Sequence, residues 1–216
     1  VSRTLRLIEM DEDRLRAAAS VQVGRKLRGC VKVVSLCHLG LPVSIEVSPL
    51  LDDGTPFPTR FWLTCPLAVS RVGRLEGMCR IHELSQRTRR DPNFARRLAE
   101  AHIAYARERD AHIPNGYLGP RPKGGIAGSA SPCAIKCLHA HYAHFLAGYP
   151  NPVGEDVAPD VEPLDCELPC VVGTARNPLW REPHHPVSGP RKPAKRGSDE
   201  GCSGRHRNKL DTTSSG

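Results

Sequence analysis

The stretch CAIKCLHAHYAH, residues 133–144, concentrates the side chains best suited to chemistry. In a helix, Cys137, His141 and His144 stand at i, i+4 and i+7 and share one face, while His139 points roughly the opposite way. Thiolate sulfur and neutral imidazole are preferred zinc donors, and donors one turn apart can grip one ion. Cys37 and Cys65 each close a short β-rich run. In an up–down–up meander the first and third strands run the same way, so both thiols lie at one edge, about 9–10 Å apart across the middle strand. That is slightly long for two thiolates sharing a zinc at about 2.3 Å each, so the last helix, laid across that edge, has to close the gap. The expected site is Cys37, Cys65 and Cys137 as thiolates, with His141 or His144 as imidazole. Zinc is the first choice, and an iron–sulfur cluster on the three thiolates is the second. With four protein donors the role is structural; with water in one position, metal-assisted hydrolysis of an anionic substrate opens.

Packing competes with this reading, because cysteine is often buried as a small hydrophobe. No CxxC pair occurs among the nine cysteines. Cys79 with His82 and Cys166 with Cys170 are weaker signals. Covalent catalysis by Cys137 with His141 as base ranks below metal ligation, since no orienting carboxylate is evident in the pattern.

Two features suggest anions. Gly124, Gly125 and Gly128 precede the last helix, where backbone amides could cradle a phosphate with Lys123 and Lys136 adding charge; Lys136 would also offset the thiolates. The spacing fits neither a P-loop nor a dinucleotide fingerprint. Arginines crowd residues 71–97 (Arg71, Arg74, Arg80, Arg87, Arg89, Arg90, Arg96 and Arg97). The alternative function is thus a basic nucleic-acid or polyphosphate binding module whose cysteines are only structural, although aromatic residues for base stacking are scarce.

The elements that must position these residues read as α, then β, then α. Residues 9–27 offer an acidic helix start with Gly29 beyond the end, and Val31–Leu36, Val43–Val47 and Thr59–Thr64 are the strands. Residues 67–89 have helical spacing, weakened by Gly73 and Gly77. Asp91-Pro92 opens a helix to about Ile113, and Ser131-Pro132 repeats that signature before a last helix over Cys133–Ala147. The expected fold is α+β, with a small antiparallel sheet of about three strands and helices packed on one face. Residues 1–150 form this domain, and 151–216, holding nine of the 20 prolines, read as a disordered tail.

Composition bounds the rest. Thirty-one Lys and Arg stand against 23 Asp and Glu, giving +8, and all of that excess lies in the first 150 residues. No apolar run approaches the roughly 18 residues of a membrane helix. The first 20 residues lack the apolar core of a secretory signal, so the expected location is cytoplasmic, where thiols and metal ligands are commoner than disulfides.

The segments LCHLGLPVSIEVSPLLDDGTPFPTRFWLTCP, SRVGRLEG, GGIAG and IKCLHAHYAHFLAGYPNPVG resemble the bacterial domain-of-unknown-function family five hundred and one, from about Asp11 to Gly154. Motif positions of that resemblance fall on Cys37, Gly40, Pro42, Gly54, Thr55, Pro56, Pro58, Cys65, Pro66, Lys136, Cys137, His139, His141 and Asn151. The resemblance implies no particular activity. It places three cysteines and two of the histidines at family positions, and leaves Cys30, Cys79, Cys166, Cys170 and Cys202 outside them.

Overall fold

A computed structural model describes the backbone of residues 3–183 and the side chains of residues 12–183. Cys202 and the basic end of the expected tail lie outside the described residues. Helix α1 (Arg3–Val23) stops at Gly24, whose positive φ of 77° suits the left-handed C-terminal cap. Strands β1 (Val31–Leu36), β2 (Pro42–Val47) and β3 (Phe61–Leu63) form an antiparallel sheet in that order. Val33 pairs with Ile45 and Ser44 with Leu63. The class is α+β, as the sequence suggests.

Helices cover both faces of the sheet rather than one. Alternation along β3 shows why: Trp62 packs with Ile45, Val47 and Ala19 under α1, whereas Phe61 and Leu63 turn to the opposite side. There they meet α4 (Pro92–Ala111) through Ala101 and Tyr105, and α5 (Leu138–Leu146) through Ala140 and Ala143.

The helical run expected over 67–89 is two helices, α2 (Pro66–Gly77) and α3 (Arg80–Arg90). The break falls at Cys79, whose φ of 63° is left-handed and ends the α2 hydrogen-bond ladder. Asp91 caps α4 as expected, accepting the Phe94 amide at 3.0 Å with Pro92 next in line.

The largest revision concerns α5. Ser131-Pro132 makes only a local turn, the Ser131 hydroxyl accepting the Cys133 amide at 3.4 Å. The helix begins at Leu138, and Cys137, at φ −155° and ψ 119°, is the extended residue before it. Its first amide is satisfied from outside the segment: Glu76, in the last turn of α2, accepts Leu138 N–H at 2.7 Å.

The fold also runs past residue 150. Helix α6 (Pro152–Val161) contributes Val153, Val157 and Val161 to the main core. After it, a short hairpin of β4 (Val171–Val172) and β5 (Ala175–Arg176) brings Cys170 and Val171 against Ala18 of α1. The proline content misleads there because Pro152 occupies the first turn of α6, where a missing N–H costs nothing.

Candidate metal centre

Because Cys137 precedes α5, its thiol does not share a face with His141 and His144. It meets His139 instead. Among the described residues, one group of three or more His, Cys, Asp or Glu ligand atoms lies mutually within 4.8 Å: Glu76, Cys137 and His139. The expected set of Cys37, Cys65, Cys137 and His141 or His144 is not brought to a common point.

Helix α2 builds two sides of the cluster. Val69 and Glu76 are seven residues apart and so lie on one face, two turns from each other. His139 sits against both, with Nε2 3.2 Å from the Val69 carbonyl and Nδ1 3.3 Å from Glu76 Oε1. A carbonyl can only accept, so Nε2 carries a hydrogen in either charge state, and Nδ1, once it gives up its proton, is the nitrogen left for a ligand role. A histidine ligand normally has its second nitrogen fixed in this way.

Electrostatics reflect the crowding. Burial disfavours the His139 cation, but hydrogen bonding to Cys137 and Glu76 outweighs it and lifts the group to about 10. Burial pushes the Glu76 carboxyl up; His139, the Leu138 amide and Cys137 override this and hold it below its ordinary value. The cluster is half-open: His139 and Glu76 each keep 27% of their side chains exposed.

Cys137 and His139 line a cavity of about 640 Å³ between β3, α2 and α5. Phe61, Trp62, Leu63 and Val69 give it apolar walls, with Thr64, Ser70 and Arg176 as polar points.

The remaining expected residues have other roles. His141 and His144 are fully buried and grip Asn151 between them: His141 Nδ1 donates to Asn151 Oδ1 at 3.2 Å, and Asn151 Nδ2 donates to His144 Nδ1 at 3.1 Å. Both are held down to about 3, chiefly by burial. Cys65 is buried in the main core, with Cys37 packed at its margin.

The glycine loop is closed on itself. Gly125 N–H donates to Ser129 O, Gly128 N–H to Gly125 O, and Ile126 N–H to His102 Nδ1. Arg109 holds the Gly124 carbonyl at 2.6 Å, and Lys136 Nζ donates to the Gly128 carbonyl at 2.9 Å. These amides and Lys136 are thus committed to the turn, and Lys123 is left beside no open cradle of them.

Most of the arginine run is spent inside the fold. Arg71 is buried and donates to Val161 O and Asp165; Arg74 pairs with Glu182, Arg80 and Arg87 with Asp156, Arg96 with Glu100, and Arg97 with Glu155. The acidic residues of α6, assigned by the sequence to a tail, neutralise much of the basic surface.

Sequence reasoning missed Glu76. It lies 61 residues before Cys137, and nothing in local spacing links the two. His139 points away from His141 and His144 as the sequence suggests; the misplaced residue is Cys137, because the helix begins at Leu138 and leaves the thiol extended beside His139.

The profile of the family described as Protein of unknown function (DUF501) matches residues 33–158. The chain belongs to this family. The match takes in Cys37, Cys65, Glu76, Cys137 and His139, and ends before Cys166. Searches of curated proteins and of solved structures gave no match. No helix among the described residues is long and apolar enough to cross a membrane.

Proposed function

We propose that the protein binds one divalent metal ion, zinc by its donor set, through Glu76, Cys137 and His139, and that the ion serves hydrolytic chemistry in the adjoining cavity. The observation that carries this is the convergence of sulfur, imidazole and carboxylate within 4.8 Å, with the sulfur and the imidazole at the cavity wall. A thiolate and a carboxylate together neutralise a divalent charge. Three protein donors leave the fourth tetrahedral position to water, as hydrolytic zinc sites require and structural sites do not. A bound ion would supply a hydroxide-like nucleophile at neutral pH. The chain supplies the rest: Val69 O fixes the His139 ring, the Leu138 amide orients Glu76, and the apolar wall suits a compact, largely apolar substrate. The polyanion-binding alternative is weakened by the internal pairing of the arginines.

The test is elemental analysis of full-length protein purified without a metal-affinity tag. One zinc per chain is expected, lost in Cys137→Ser and His139→Gln and kept in Cys133→Ser, whose thiol is exposed. Zinc content unchanged in the first two variants, or absent from the native protein after supplementation, would overturn the reading.

A further inference from the structure

We propose that Cys37, Cys65, Cys166 and Cys170 form a second, all-sulfur site, separate from the Glu76–Cys137–His139 cluster, and that it takes an iron–sulfur cluster.

The topology gathers these residues. Cys37 follows β1 and Cys65 follows β3, so both lie at the edge where β2 begins; Cys37 N–H bonds to Leu41 O and Cys65 N–H to Val43 O. The segment after α6 crosses this edge. His38 Nε2 meets the Cys166 carbonyl at 3.0 Å, and Cys37 and Cys166 both pack on the core that contains Cys65. Trp180, which donates to Cys166 Sγ, packs both on the core that holds Cys65 and on the cluster that holds Cys170. All four are free thiols.

Two N–H donors are directed at the sulfurs. Trp180 Nε1 and Gln22 Nε2 each lie 3.4 Å from a sulfur, Cys166 Sγ and Cys170 Sγ respectively. Indole N–H has no other hydrogen-bonding capacity, and a neutral thiol is a weak acceptor. Such donors are better matched to metal-bound thiolates, whose clusters are tuned by hydrogen bonds to sulfur.

Spacing selects the centre. Around a tetrahedral zinc with Zn–S of about 2.3 Å, sulfurs stand about 3.8 Å apart. No three of these sulfurs are mutually within 4.8 Å. A polynuclear cluster sets thiolates on different irons and so holds them further apart. A cavity of about 480 Å³, lined by Cys37, His38 and Leu164, opens beside the site as a route for loading.

The experiment is anaerobic reconstitution of the full chain with ferric iron, a thiol reductant and sulfide. Expected are a broad visible charge-transfer absorption and equimolar iron and acid-labile sulfide after desalting. Cys37→Ala and Cys166→Ala, at half-buried positions, should lose the absorption while far-UV circular dichroism is unchanged; should either perturb the fold, Trp180→Phe keeps the cysteines and should shift the cluster's reduction potential. Cys133→Ser and Cys137→Ser should retain the cluster, so its fate is read independently of the zinc site. Failure to bind iron and sulfide, a single zinc held by these cysteines, or a chromophore that survives both alanine variants would overturn the proposal.

Discussion

The carboxylate of Glu76 stands 3.3 Å from Nδ1 of His139 while accepting the Leu138 amide at 2.7 Å, so one side chain both starts a helix and faces the candidate ligand. Glu76→Gln separates these roles. The amide oxygen can still accept from Leu138, so stability should change little. The lost charge should lower zinc affinity by more than about tenfold in calorimetric titration. In metal-free protein, NMR titration should show His139 moving down from about 10.

Stability should peak near weakly acidic to neutral pH in the metal-free chain. His139 is raised to about 10, so its contribution is complete below its unfolded value of about 6.5 and is lost as pH rises through 10. His141 and His144 are depressed to about 3, so the unfolded chain takes up their protons first. Their contribution holds above about 6.5 and is lost as pH falls towards 3. Urea unfolding across pH should show both limbs; His139→Gln should flatten the alkaline limb and His144→Phe the acid one.

Asn151 ties α5 to α6. Its Oδ1 accepts the Val153 and Gly154 amides as well as His141 Nδ1–H, and its Nδ2 serves His144. Asn151→Ala removes a helix cap and strands buried imidazole nitrogens, and should cost roughly 3 kcal/mol in urea unfolding. Asn151→Asp keeps the cap but loses the donor to His144, and should fall between the alanine variant and the native chain.

Two glycines should respond in opposite directions. A Cβ at Gly154 would lie 2.3 Å from Phe145 Cβ and 2.9 Å from His141 O, where α5 and α6 touch. Gly154→Ala should therefore destabilise by about 1–3 kcal/mol. Gly73, inside α2, has nothing within 4 Å of a built Cβ, and Gly73→Ala should stabilise by about 0.5–1 kcal/mol. Thermal melts of the pair check both signs.

Strands and helix caps were readable from sequence because they depend on neighbouring residues: alternation identified β1 and β2, and Asp91-Pro92 identified α4. The placement of Cys37 and Cys65 at one sheet edge follows from strand direction alone. What escaped depends on distant partners. Ser131-Pro132 has the same local chemistry as Asp91-Pro92, yet α5 starts six residues later, where Glu76 supplies an acceptor. Cys166 and Cys170 look incidental in a proline-rich stretch, since only the tertiary course of the chain brings them to the strand tips. Compositional bias hid α6, whose valines reach the core although its flanks resemble a linker.

Asn151 opening α6 while holding the histidines of α5 has a practical outcome for dissecting this protein. A fragment cut at the proline boundary near residue 150 would discard the valines that seal the main core and the acidic partners of Arg80, Arg87 and Arg97. The shortest autonomous piece must therefore reach at least to Trp180, and limited proteolysis should find residues 151–180 resistant rather than readily trimmed.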